Sequence, residues 1–210
     1  MKRIKLAVLA IFLPILMVAQ GGIEIVPFAG YMFGGSVKFY EGELKISNGV
    51  DYGLSIFIPV KSILEIEVNY TGMNSQAEFR AYPAYPEFSD EKTTISTNYF
   101  HVGVIKAFET DNPSIEPFGS LSLGATMFSL TDYTDTWRFS IAAGIGVKFM
   151  FGAHVGIMLR GRLLMPMGFA GSGGYCGLGT DGGNTCLNIS GLIQPIQGDF
   201  NAGLIIKIGN

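Results

Sequence analysis

The chain has 210 residues, a length that suits one domain, and only 15% of them are charged, against about 25% in an ordinary soluble domain. A water-soluble protein this poor in charge would struggle to cover its surface, and the 29 glycines follow no collagen period. The formal charge of −3 leaves no basic footprint for nucleic acid, so no nucleic-acid partner is expected.

Residues 1–20, "MKRIKLAVLAIFLPILMVAQ", read as a secretory signal peptide: Lys2, Arg3 and Lys5 precede an apolar core from Leu6 to Val18 and a cleavage zone at Val18-Ala19-Gln20. The core is short of the roughly 20 residues of a spanning helix, and Pro14 interrupts it. No cysteine lies near the cleavage zone, so no lipoprotein is expected. Without this segment, 11 Lys and Arg face 17 Asp and Glu, a formal charge of −6.

The mature chain, 21–210, shows a period of two rather than 3.6. Eight segments carry it: 23–34, 49–60, 62–73, 97–109, 115–130, 137–151, 154–166 and 199–209. An even number of strands, each near ten residues or longer, is the weak signature of a closed, antiparallel, up-and-down transmembrane β-barrel. In "WRFSIAAGIGVKFMF", Trp137, Phe139, Ile141, Ile145, Val147 and Phe149 share one face, while Arg138, Ser140, Gly144, Gly146 and Lys148 share the other. In "ILEIEVNYT", Leu64, Ile66, Val68 and Tyr70 oppose Glu65, Glu67 and Asn69. In "VGIMLRGRLLM", Val155, Ile157, Leu159 and Leu163 oppose Arg160 and Arg162. Phe100, Val102, Val104, Lys106 and Phe108 form an outward set whose lysine is tolerable only near an interface.

Alternation alone does not say which face is wet, since a soluble sandwich or lipocalin-like barrel also alternates. Three features favour the membrane. The polar face is largely glycine, alanine and serine with isolated charges, which suits the cramped inside of an eight-stranded barrel. Connections alternate long (35–48, 74–96, 167–198) and short (59–62, 110–114, 151–154), with 131–136 moderate, as outer loops and periplasmic turns do. Aromatic residues gather at strand ends. Tyr31, Phe33, Tyr52, Tyr70, Phe100, Phe128, Trp137, Phe139, Phe169 and Phe200 are expected at the outer rim, and Phe108, Phe118, Phe149 and Phe151 at the inner.

The signal followed by "GGIEIVPFAGYMFGG", the meander and the closing "DFNAGLIIKIGN" together resemble the small outer-membrane β-barrel proteins of diderm (Gram-negative) bacteria, the porin-like "outer membrane protein beta-barrel domain" group. The resemblance implies an outer-membrane location, contact with its lipid and handling by the barrel-assembly machinery. Such barrels commonly end on an aromatic residue, whereas this chain ends Ile208-Gly209-Asn210.

Nine charges fall on the inner face. Glu24, Asp51, Glu65 and Glu67 come from the first three strands, and Arg138, Lys148, Arg160, Arg162 and Lys207 from the last three. A buried charge without a partner is costly, so pairing across the lumen is expected. Such pairing would plug the barrel and leave it a structural or surface-interaction role. The alternative is a narrow gated channel or a conduit for hydrophobic or small solutes. Cys176 and Cys186 are the only cysteines and, in an exported chain, are expected to form a disulfide in the last outer loop. Tyr82, Tyr85 and Phe88, in "FRAYPAYPEFSDEK", are candidates for contact with an extracellular ligand, or pack over the barrel mouth. "GLGTDG" matches a dinucleotide pattern but follows no strand and opens no helix. With two histidines and no catalytic cluster, neither enzyme activity nor a cofactor or metal is expected.

Overall fold

The computed structural model describes residues 22–84, 90–130, 135–167, 173–178, 184–188 and 195–209. The expected signal peptide, Phe169, Tyr85 and Phe88 lie outside the described residues. Eight strands make the barrel: β1 (Ile23–Phe33), β4 (Gly49–Lys61), β5 (Leu64–Ala81), β6 (Glu91–Ala107), β7 (Ile115–Leu130), β8 (Thr136–Met150), β9 (Val155–Pro166) and β12 (Gln197–Ile208). Each pairs antiparallel with its neighbours in the order β5-β4-β1-β12-β9-β8-β7-β6, and β5–β6 closes the ring. Closure leaves no strand edge in hydrocarbon, where each unpaired backbone group would cost several kcal/mol.

The barrel is inside-out relative to a soluble one. Val102, Leu121, Ile145 and Leu204 are 53%, 58%, 74% and 48% exposed on the outer surface, whereas Glu67, Arg160 and Lys148 are 3%, 2% and 1% exposed within. A soluble β-barrel would reverse both sets. Register then stacks the aromatic groups. Tyr31 faces Phe200 across β1–β12 and Tyr70 faces Phe100 across β5–β6, with Phe100 in turn stacking on Trp137 at 5.9 Å. Phe108 and Phe151 are exposed near the other end. Phe100 on β6 and Phe108, the residue just past its end, are eight residues apart, about 26 Å along the strand direction and about 20 Å once tilted, close to the apolar band of an outer-membrane barrel.

Two expected rim residues are corrected. Phe118 and Phe128 are each 1% exposed and point inward. Their even numbering puts them on the same face of β7 as Gly124 and Thr126, so strand parity overrides their position near a strand end.

The lumen is also less uniformly small than its composition implies. Large inward side chains sit directly opposite glycines. Phe28 faces Gly53 and Gly203, Phe118 faces Gly146, His101 faces Gly124 and Arg162 faces Gly144. A Cβ at Gly124 would stand 1.9 Å from the Phe100 carbonyl oxygen and 2.7 Å from His101 Cδ2. Glycine is therefore the gap into which the neighbouring strand's bulk folds. Gly124→Ala is expected to destabilise the barrel by about 1–3 kcal/mol, as overpacking does, measured by urea unfolding in detergent micelles.

The long connections are not plain loops. Within 35–48 a hairpin, β2 (Ser36–Lys38) and β3 (Gly42–Ile46), pairs through β3 with residues 77–81 of β5, above the last contact of β4. Most of 74–96 is strand, because β5 and β6 stay paired from Leu64 with Lys106 to Phe79 with Glu91. Within 167–198, β10 (Gly173–Leu178) pairs with β11 (Asn184–Asn188).

On β5 and β6 the chemistry of the faces swaps at the aromatic row while the side-chain parity holds. Below it, Val68, Val102 and Val104 point out and Glu67, Asn69 and His101 point in. Above it, Asn74, Gln76, Lys92 and Thr94 are exposed outside, and Met73, Ala77, Phe79 and Ile95 are buried inside. A strand leaving lipid for water must invert its pattern, so the swap marks the outer boundary of the apolar band.

Candidate functional site

The inner face is layered along the barrel axis. At the short-turn end, Lys148 of β8 donates from Nζ to Glu24 of β1 at 2.8 Å and to Glu65 of β5 at 2.6 Å, with Glu116 of β7 at 3.9 Å. Its ammonium also lies 4.7 Å from the Phe57 ring centre, a cation–π contact. A cavity of about 390 Å³, lined by Glu24, Glu65, Glu116, Lys61 and Lys207, opens beside this group. Above it, Val26, Phe57, Ile105, Phe118, Met158 and Ile205 form an apolar cluster.

The central layer is polar. Arg160 of β9 donates to Glu67 of β5 at 2.5 Å and to Ser55 of β4 at 3.3 Å. Ser55 donates onward to Glu67, and the Asn69 amide donates to Ser55, both at 2.8 Å. Arg162 grips Asp199 of β12 through Nε, at 3.1 Å to each oxygen, and through Nη2. Its other donors reach Asn69 at 2.9 Å and Thr71 at 3.0 Å. Strand β9 lies four places from β5 in the ring of eight, so these arginines span the full diameter. Both guanidinium carbons also sit over the Phe28 ring, at 5.3 and 5.4 Å. Glycine on either side of Phe28 gives the ring room to lie there. Tyr99 of β6 makes a second diametric link, donating to Gln197 of β12 at 2.5 Å.

The outermost layer is an apolar cap. Met32 of β1, Phe128 of β7, Val37, Phe39, Leu44 and Ile46 of the hairpin, and Met73, Phe79 and Ile95 of the extended β5–β6 wall belong to one buried cluster. On the wall's outer face Arg80 Nε donates to Glu78 at 3.1 Å, and Lys92 stands 3.7 Å from it. The Arg80 hydrogen bond and the Lys92 charge hold the half-buried Glu78 carboxyl below its usual range.

The nine charges on the inner face meet different fates. Glu24, Glu65 and Lys148 come together, as do Glu67 and Arg160, while Arg162 takes Asp199. Asp51 departs from pairing: it is 0% exposed, yet neither carboxylate oxygen has a hydrogen-bond partner on another of the described residues. Arg138 is half-buried at the rim, with Nη1 donating to the Trp137 carbonyl oxygen at 3.1 Å. Lys207 lines the turn-end cavity and is in no ion pair among the described residues, although its backbone registers with Glu24. Asp199 and Glu116 were missed by sequence reasoning, and parity could have found both. Asp199 is odd on β12 like Asn201, and Glu116 is even on β7 like Phe118.

His101 and Ser140 form a further buried pair, Nε2 to Oγ 2.7 Å. The pair has the composition of a base beside a nucleophile, and His101 Nδ1 has no hydrogen-bond partner among the described residues, while the Tyr99 ring packs on the imidazole with centroids 5.6 Å apart. Both groups are also sealed from solvent, at 2% and 0% exposure. Among the described residues no group of three His, Cys, Asp or Glu side chains could hold a metal. Tyr82 is exposed at the wall's tip, its N–H donating to the Glu41 carbonyl oxygen at 2.9 Å. The β10–β11 register sets Cys176 directly opposite Cys186, and their side chains lie outside the described residues.

A closed ring of eight antiparallel strands with ionic groups inside and an apolar belt outside has close counterparts among solved proteins. The outer membrane protein OprG from Pseudomonas aeruginosa matches with a TM-score of 0.65 at 13% identity, over 91% of this chain and 98% of that one. Neisserial surface protein A (NspA) matches at 0.57 and 14%, over 89% and 97%. The fold is that of the small outer-membrane β-barrels. The outer membrane protease OmpT from Escherichia coli also shares this outer-membrane barrel architecture, with a TM-score of 0.53 at 7% identity over 90% and 97%. No protein-family model matches the chain, and no curated protein matches it.

Proposed function

We propose that the chain is an integral outer-membrane protein of a diderm bacterium whose barrel is closed to solutes and whose role is structural or one of surface contact. The observation that carries this reading is the central layer, in which Arg160 and Arg162 span the diameter to Glu67, Asn69 and Thr71 between two apolar clusters. Ion pairs at that spacing fill the bore of an eight-stranded barrel. The contact surface in this reading is the wall of β2, β3, β5 and β6 beyond the aromatic row, where Tyr40 and Tyr82 are 52% and 39% exposed. An extracellular ligand would meet this surface first, and the expected contacts of Tyr85 and Phe88 belong to the same proposal. No catalytic step or cofactor is assigned.

The same reading includes removal of residues 1–20 on export, insertion by the barrel-assembly machinery, and a Cys176–Cys186 disulfide. The facing register of β10 and β11 supports the disulfide. Reconstituted into a planar bilayer, the native protein is expected to give no steady conductance. Steady single-channel steps would overturn the closed barrel in favour of a conduit. Fractionation tests the location: the protein should resist an alkaline carbonate wash of membranes, and release by that wash rejects it.

A further inference from the structure

The charges of the central layer do not balance. Between the two apolar clusters lie two cations, Arg160 and Arg162, and three carboxylates, Glu67, Asp199 and Asp51. The first two acids take the two arginines, leaving one negative charge on Asp51, which is 0% exposed. Asp51 lies within electrostatic reach of Asp199, Arg162 and Arg160, yet neither of its oxygens accepts a hydrogen bond from another residue among the described residues. A carboxylate in such surroundings must either take up a proton or have a compensating positive charge beside it.

Its setting offers a second set of unused atoms. In the sheet, Asp51 of β4 registers with Gly30 of β1, which registers with Asn201 of β12. A Cβ at Gly30 would stand 2.7 Å from the Asn201 Cβ, so the side chains of Asp51 and Asn201 flank a position that carries no side chain of its own. The Asn201 side chain is 5% exposed, and neither its Oδ1 nor its Nδ2 has a hydrogen-bond partner among the described residues. On the other side Asp51 registers with Met73 and Met73 with Thr97, whose buried hydroxyl is likewise unpartnered.

We infer that Asp51 and Asn201 form a site for one small monovalent cation such as sodium, held by the Asp51 carboxylate and the Asn201 amide oxygen. Hard oxygen donors suit such an ion. One unmatched charge calls for a single positive one, and a divalent ion would overcompensate it. The site lies above the Arg160–Glu67 pair and is distinct from the carboxylates around Lys148.

The test follows the unfolding of the refolded barrel in zwitterionic micelles, by circular dichroism and heat-dependent gel mobility. Sodium chloride is compared with N-methylglucamine chloride at equal ionic strength. Native protein should become more stable with sodium, and once the site is near saturation each tenfold rise in sodium should lower the unfolding constant tenfold. Asp51→Asn, nearly isosteric and without the unmatched charge, should lose this dependence and be at least as stable as native protein without sodium. Asn201→Ala, which keeps the carboxylate, should shift the dependence to about tenfold higher sodium. It serves as the second arm if Asp51→Asn does not refold. Superimposed native curves in the two salts overturn the proposal, as does sodium dependence that survives in Asp51→Asn. Stability that responds to pH but not to sodium also overturns it, since a proton would then hold the place of the ion.

Discussion

Replacing Arg160 with methionine is expected to destabilise the folded barrel by about 3–5 kcal/mol, because it strands the Glu67 carboxylate at 3% exposure beside Ser55. Adding Glu67→Met should recover most of that loss. A buried ion pair replaced by apolar groups of similar volume is often neutral or stabilising, whereas breaking it from one side is not. Arg162 should be less sensitive to this double change, since its own acid is Asp199 and its remaining donors go to Asn69 and Thr71. Urea unfolding in lipid vesicles or micelles, with native, single and double variants side by side, measures the cycle. Additive losses in the double variant would show that the pair contributes no coupling and that the layer is held by the apolar clusters instead.

Leu121→Arg is expected to cost about 2–4 kcal/mol, the penalty for a guanidinium near the middle of the apolar band. Leu121 is 58% exposed on the outer surface of β7 and registers with Val104 of β6, midway between Phe100 and Phe108. The control is Thr94→Arg on the outer face of β6 above the aromatic row, where water takes over and the change should stay within about 0.5 kcal/mol. Equal, small effects at both positions would mean that the outer belt does not face acyl chains. The barrel would then be a soluble one with an unexplained charged interior. The pair of substitutions therefore tests the position of the membrane boundary as well as its existence.

Strand number, closure and sidedness were legible because lipid imposes period-two chemistry on each strand separately. "WRFSIAAGIGVKFMF" separates into its two faces with no knowledge of its neighbours. The continuation of β5 and β6 through 74–96 was not legible in that way. Its alternation persists, but water replaces lipid outside Asn74, Gln76 and Lys92, so the rule that identified the lower strand points the wrong way above the row. The short hairpin of β2 and β3 was hidden for a related reason: its pairing to β5 depends on a partner more than thirty residues away.

The inner site divides along the same line. That Glu67, Arg160 and Arg162 lie on the face opposite the apolar set of their strands follows from parity alone, a local property of the extended backbone. Which acid each arginine takes follows from the ring. Eight strands in meander order set β9 across from β5 and beside β12, so Arg160 crosses to Glu67 while Arg162 also has Asp199 within reach. The isolation of Asp51 has the same origin, because register gives it glycine and methionine as neighbours rather than a cation. Alternation is written residue by residue along one chain, but partnership is a matter of strand order, register and shear, which exist only once the sheet has closed.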